Sequence, residues 1–345
     1  MVLWSILLFL TVYLPVALLL LKLYIALTAK WNHSPVCLVG KTAIVTGSNA
    51  GLGYYTALDF AKRGARVILA CRNRTKAESA KTRIIEATGN PNVIVQIVDL
   101  SSLSSVRQFV KKIYETEDQL HILVNNAGGG IYNQPYTEDG LGSSMQINHF
   151  APFLLTILLL SMFNFENITV HTSFLDLLKK SAPSRIVTVS SAAAAFGKLN
   201  VNNLNESSRY FTAAVDYANV KLCNLLFTIE LAQKLEGTEV TANTLHPGVA
   251  KSDFVKDSTT ILSNLLRISM KLFYKSTEMG AQTTIYVSIA KELNGISGKY
   301  FADCAETSYP RSARSRTLAK ALWNKSEQLV KLTSEERQCL MEKIN

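Results

Sequence analysis

Cysteine is scarce in this 345-residue chain. Its five cysteines (Cys37, Cys71, Cys223, Cys304 and Cys339) are scattered and never spaced Cys-x-x-Cys. That argues against a disulfide scaffold and a structural zinc site, and points to a reduced, cytosol-facing domain. Charge is also sparse, at 18% against 48% hydrophobic residues, which excludes an intrinsically disordered protein. Internal repeats and low-complexity tracts are missing. Long, strongly apolar uncharged runs are missing except for one, so a multi-pass transporter is excluded. Acidic residues number 26 against 36 basic, a formal net charge of +10. A basic excess can serve nucleic acid, an anionic membrane or a phosphorylated ligand. No segment clusters Arg and Lys with interleaved aromatics, so no nucleic-acid partner is expected.

The strongly apolar uncharged run is residues 2–21, closed by Lys22, Lys30 and Lys41. As a helix it would reach about 30 Å, the thickness of a hydrocarbon core. A cleaved signal peptide, the alternative, would want a basic start and a shorter apolar run. Residues 1–28 are therefore read as an N-terminal transmembrane anchor. The positive charge that follows places the large domain in the cytosol. Asn-x-Ser/Thr sequons begin at Asn32, Asn73, Asn167, Asn205 and Asn324; in the cytosol they stay unmodified.

Residues 29–40, with Pro35 and Gly40, read as a linker to a domain over 41–335, and residues 336–345 as a tail. Inside the domain, apolar runs at 42–46, 66–70, 93–98, 122–125, 185–189 and 240–245 alternate with helical spacing at 52–63, 76–88, 103–115 and 217–235. A further helix is expected within 310–333. Strands apolar on both faces, separated by amphipathic helices, indicate an α/β fold: a single Rossmann-type, doubly wound parallel sheet covered on both sides.

The first strand runs into Thr46-Gly-Ser-Asn-Ala-Gly-Leu-Gly53. Glycines at 47, 51 and 53 permit a tight turn and close approach of a pyrophosphate at the start of a helix. The second strand ends at Ala70-Cys-Arg-Asn-Arg-Thr-Lys76. An NAD site wants an acid there for the ribose hydroxyls, yet the first acid is Glu78. Arg72 and Arg74 stand where a 2′-phosphate would lie, which favours NADP(H); two solvated arginines are the plainer alternative. Tyr217 and Lys221 fall one helical turn apart on one face, downstream of a strand ending in Ser190-Ser191.

In these motifs the chain resembles the short-chain dehydrogenase/reductase family. The matches are Thr46-Gly-x-x-x-Gly-x-Gly53, Asp99-Leu100, Asn125-Asn-Ala-Gly128, Asn148, Ser190-Ser191, Tyr217-x-x-x-Lys221 and Pro247-Gly248, in family order over about residues 41–335. Within the family it is most similar to the membrane-anchored, retinol dehydrogenase-like branch. The features behind that are the anchor, Thr137-Glu-Asp-Gly140, Ser184-Arg-Ile-Val187, His246-Pro-Gly248, Leu322-Trp323 and the long gap from Ser191 to Tyr217.

The resemblance implies a catalytic set of Asn148, Ser191, Tyr217 and Lys221. Tyr217 would be the general acid/base, its phenolate favoured by the charge of Lys221 and of the oxidised nicotinamide. Lys221 would also bond the nicotinamide ribose, Ser191 the substrate oxygen, and Asn148 a relay water. The cofactor NADP(H) would lie against Gly47, Ser48, Asn49, Gly51, Leu52, Gly53, Arg72, Arg74, Asp99, Leu100, Asn126, Ala127, Gly128, Tyr217, Lys221, Pro247 and Gly248. Asp99 would bond the adenine amine, with Asn126 near the adenosine ribose. No metal is expected. The substrate implied is a lipophilic alcohol or carbonyl, retinol or retinal in the first instance. A steroid, polyprenol or fatty-aldehyde reductase, or an idle nucleotide-binding membrane scaffold, are the alternatives. The membrane expected is the endoplasmic reticulum, crossed once.

Two departures stand out. Residues 161–174 look like an insertion in a helix that commonly pairs subunits in this family, which weighs against a homodimer more than against the chemistry. Pro152 lacks the N–H that would normally occupy the Asn148 carbonyl, so a local kink is expected there.

Overall fold

The computed structural model describes residues 30–129, 132, 134–160, 181–205, 213–248, 276–334, 336 and 337, with isolated positions 12, 13, 16 and 23. The expected anchor, apart from those four positions, and the insertion at 161–174 therefore lie outside the described residues.

Six parallel strands form where the apolar runs were read: β1 (Thr42–Thr46), β2 (Arg66–Cys71), β3 (Val93–Ile97), β4 (Ile122–Asn125), β5 (Ser184–Val189) and β6 (Val240–His246). Two short strands, β7 (Tyr300–Ala302) and β8 (Ala305–Thr307), complete one sheet in the order β3-β2-β1-β4-β5-β6-β7-β8. Only the β7–β8 pair is antiparallel. The strand order reverses between β1 and β4, the point at which open α/β sheets bind ligands beyond their strand ends.

Successive strand residues face opposite sides, and the core divides accordingly. Ala43, Val45, Val67 and Leu69 pack under α1 (Gly51–Lys62), α2 (Arg74–Thr88) and α6 (Thr277–Ile289). Ile44, Ile68, Leu123 and Ile186 pack under α3 (Leu103–Thr116), α4 (Ser143–Leu160), α5 (Ala213–Lys234) and α7 (Arg316–Leu329). In α3 the Ser102 hydroxyl caps the first turn by accepting the Ser105 N–H. Leu103, Val106, Phe109, Val110 and Ile113 then recur at helical spacing on the buried face. Truncating Phe109, which is 1% exposed, would cost about 3–5 kcal/mol.

Helix α4 is long and apolar enough to cross a membrane, yet 89% of it is buried inside the domain. It is a core helix. Its middle, Gln146–Phe150, is a π-helix in which the Ala151 N–H reaches back to the Gln146 carbonyl. This widened turn sits immediately before Pro152, where the ladder of regular helical bonds lacks a donor.

Residues 30–40 are held along the domain. The Arg63 guanidinium, paired with Asp59 at 2.5 Å, donates to the Ser34 and Val36 carbonyls. Leu38 is buried, and its N–H meets the Arg63 carbonyl at 2.8 Å. At the other end, Glu336 is also folded onto the domain. It is buried, and its carboxylate accepts two bonds from Arg107 at 2.9 and 3.1 Å.

Candidate active site

The carboxyl ends of β1, β4, β5 and β6 open on one edge of the sheet. The turn after β1 is shaped by steric exclusion. Gly47 and Gly51 take φ of 65° and 61°, where a side chain is strained. A Cβ on Gly53 would lie 2.5 Å from Asn126 Nδ2 and 2.6 Å from the Gly47 carbonyl. The turns after β1 and β4 are stitched together. Thr46 Oγ1 accepts the N–H groups of Asn126 and Ala127, at 3.0 and 2.9 Å. The Asn126 amide donates to the Thr46 carbonyl at 2.8 Å, so this side chain braces the glycine turn.

Around that turn, Ser48 is buried with its hydroxyl 3.5 Å from the Cys71 thiol, while Asn49 and Leu52 are half-buried. Arg72 and Arg74 are exposed at the end of β2 and the start of α2. One Asp99 carboxylate oxygen accepts from the Ser101 N–H and hydroxyl, at 2.9 and 2.6 Å. The Leu100 side chain belongs to the core. Pro247 and Gly248 follow β6, with the Gly248 N–H on His246 Nδ1 at 3.2 Å.

Two of the expected catalytic residues, Asn148 and Lys221, converge on Gly128. A Cβ there would lie 2.4 Å from Asn148 Oδ1 and 3.4 Å from Lys221 Nζ, so only glycine lets both side chains close in. Asn148 is locked: its Oδ1 accepts the Gly129 N–H at 3.1 Å, and its amide nitrogen donates to Ser144 O and the Tyr132 hydroxyl, at 2.8 and 2.9 Å. Lys221 is 5% exposed and donates to the Val189 carbonyl at 3.3 Å. Burial pushes its ammonium down to about 8. Lys221 Nζ lies 5.6 Å from the centre of the Tyr217 ring. Burial raises the Tyr217 phenol above its ordinary range, and a hydrogen bond with Ser191 pulls it partly back. The serine pair divides its work. Ser190 is buried and donates to the Lys221 carbonyl at 2.7 Å, whereas Ser191 faces Tyr217.

The short chain dehydrogenase family matches residues 41–261. The chain belongs to that family. Among curated members, it is 42% identical over 291 residues to retinol dehydrogenase 12 of Mus musculus, covering 84% of this chain and 86% of that one. To human retinol dehydrogenase 14 it is 39% identical over 315 residues, covering 86% and 88%. Among solved structures, an uncharacterised protein from Mycobacterium paratuberculosis superposes with a TM-score of 0.66 at 30% identity, covering 88% and 98%. L-sorbose reductase from Gluconobacter frateurii, solved with NADPH and L-sorbose, superposes at 0.58 with 19% identity, covering 77% and 95%; this last likeness speaks for the fold alone. As a short-chain dehydrogenase, the protein is an oxidoreductase.

Sequence reasoning missed several residues that hold this dehydrogenase site together. Tyr132 bonds Asn148 and donates to the Gly129 carbonyl at 3.2 Å; burial pushes its phenol up to about 12. Asp139 accepts from the Leu103 N–H at the start of α3 and from the Gln146 amide in the π-turn, at 2.8 and 2.6 Å. Asn125, read in the sequence only as part of the Asn125-Asn-Ala-Gly128 match, donates to Thr156 Oγ1 at 2.9 Å and so ties β4 to α4. No spacing rule links such distant positions. The branch motif Thr137-Glu-Asp-Gly140 was the one available signal for Asp139.

Proposed function

We propose that this short-chain dehydrogenase uses NADP(H) to interconvert a lipophilic alcohol and its carbonyl, with retinol and retinal as the first substrate pair. The observation that carries the reading is the closing of Asn148 and Lys221 around Gly128, with the Tyr217 ring beside Lys221 and its hydroxyl on Ser191, next to a glycine turn flanked by arginines. The residues fit the dinucleotide: the turn is open to backbone approach at Gly51, where a Cβ would meet nothing within 4 Å, and Arg72 and Arg74 suit a 2′-phosphate. When bound, NADP(H) supplies or accepts the hydride.

The chain's own residues orient the substrate and handle the proton. Ser191 Oγ hydrogen-bonds the substrate oxygen. Tyr217 Oη gives a proton to that oxygen in reduction and takes it in oxidation. Lys221 lowers the cost of the phenolate against the burial that raises it. Asn148, fixed by its backbone partners, holds the relay water that returns the proton from solvent.

The membrane part of the proposal is a single N-terminal span over residues 1–28, with the domain on the cytosolic face of the endoplasmic reticulum. The uncharged run 2–21 and the lysines that follow it support this. The test is a carbonyl panel assayed with the full chain, comparing kcat/KM for retinal, steroid, polyprenal and fatty aldehyde with NADPH and NADH. Turnover of retinal with NADPH is expected. Turnover confined to the other carbonyls would move the substrate, and none with any carbonyl would leave a nucleotide-binding scaffold. Protease added to sealed microsomes is expected to digest the domain.

A further inference from the structure

Away from the catalytic cleft, the segment 30–35 and the carboxyl end of α6 enclose a groove of about 640 Å³, lined by Lys30, Trp31, His33, Tyr286, Lys291 and Glu292 among others. The segment is fixed there along its length. The Asn32 N–H donates to Gln282 Oε1 at 3.2 Å, the Cys304 thiol to the Lys30 carbonyl at 3.8 Å, and Arg63 grips the carbonyls of Ser34 and Val36. Among the described residues the Asn32 amide nitrogen, buried in this wall, has no hydrogen-bond partner, although a buried polar group ordinarily finds one.

Three features fix what the groove meets. The chain entering it is the uncharged run 2–21, only a few residues upstream. Trp31 is 41% exposed at that entry, and tryptophan concentrates where a membrane meets water. Finally, the charge of the groove is net basic. Glu292 is engaged by the Tyr286 hydroxyl and faces Arg185, which leaves Lys30 and Lys291 to set the local field.

We propose that this groove rests on the bilayer and seats the phosphate of an anionic phospholipid headgroup between Lys30 and Lys291. The proposal rests on the membrane reading above. It adds that the fixed 30–35 segment sets the face the domain presents to the lipid, instead of leaving it tethered on a free linker.

The test uses the full-length chain in phosphatidylcholine vesicles with rising phosphatidylglycerol and a nitroxide quencher on the headgroups. Trp31 emission is read as the difference between the natural protein and Trp31→Phe. Quenching is expected to grow with phosphatidylglycerol. Lys30→Gln and Lys291→Gln should each raise the amount needed for half-maximal quenching about fivefold, as expected for roughly 1 kcal/mol per basic residue at an anionic membrane. Equal quenching without phosphatidylglycerol, or quenching unmoved by both variants, would overturn the proposal. So would inorganic phosphate that protects residues 30–35 from hydrogen exchange in detergent as fully as the anionic lipid does. Carbonate extraction of the same vesicles reads the anchor separately. A chain that resists extraction but fails the quenching test keeps its anchor and loses the groove. An extracted chain that still shows anionic-lipid-dependent quenching keeps the groove and loses the anchor.

Discussion

Gly47, Gly51 and Gly53 shape one half of the cleft by what they leave out, while Asn148, Ser191, Tyr217 and Lys221 shape the other by what they bring in. In the first half, backbone and glycine leave room beside the exposed Arg72 and Arg74. In the second half, Lys221 and Asn148 are buried, and neighbours hold each polar side chain at hydrogen-bond distance. The difference teaches where each kind of damage should appear. Charge changes in the exposed half should alter cofactor choice with little effect on the fold. Changes in the buried half should reach the chemistry, the titration behaviour and the stability together.

The largest effect should come from Tyr217→Phe. It keeps the ring but removes the transferable proton, so kcat should fall about 10²–10⁴-fold while nucleotide binding by fluorescence titration stays close to normal. Residual turnover above that range would break the contrast by removing Tyr217 from the chemistry.

Next in size is Arg72→Asp. Losing a charge-assisted phosphate contact should move the NADPH/NADH ratio of kcat/KM by about 1.5–3 kcal/mol, with melting temperature unchanged. A stability loss without a shift in preference would place Arg72 in the fold and not at the cofactor.

Gly53→Ala sharpens the steric side of the comparison. Its methyl would press on Asn126 Nδ2 and the Gly47 carbonyl. A cost of about 1–3 kcal/mol is expected in denaturant unfolding, because the obstacle includes backbone. A variant as stable as the natural chain would show that the two turns can separate freely.

The pH response of Lys221 tests the buried half by titration. Its folded-state pKa lies near 8, below the ordinary 10.5 of an exposed lysine. The penalty for burying the ammonium is fully present below pH 8 and is relieved as pH rises from about 8 to 10.5. Stability should therefore gain a contribution across that window, while turnover that needs the ammonium falls above about pH 8. Lys221→Met should flatten the stability gain. A natural-chain profile identical to that of Lys221→Met would exclude the assigned titration.

Strands β1 to β6 were legible because apolar residues recur on both faces of most of them, a pattern that few other local structures need. Strands β7 and β8 were not, being too short for a period. Nor was α6, buried at Gly280, Ala281, Thr284, Ile285 and Ser288 alike, which leaves no polar stripe to betray a helix. Helix α5 starts at Ala213, ahead of the expected 217. The segment read as a linker shows how such a reading falls short. Pro35 and Gly40 mark irregular backbone, but they do not say that Arg63 and Gln282 will hold it.

Residue types and short spacings determined the chemistry on offer: a glycine turn, arginines in place of an acid, and a tyrosine and lysine one helical turn apart. Those are local properties, fixed by backbone sterics and by the 3.6-residue helical repeat. The tertiary structure decided how the offer is assembled. It turned Ser191 towards Tyr217 while spending Ser190 on the Lys221 carbonyl, and it committed Asn126 to the glycine turn. It also brought Tyr132 onto Asn148 and closed Asn148 and Lys221 around Gly128. Such pairings depend on burial and on distances between strand ends far apart in the chain, where a buried polar group must find a partner whatever its sequence separation.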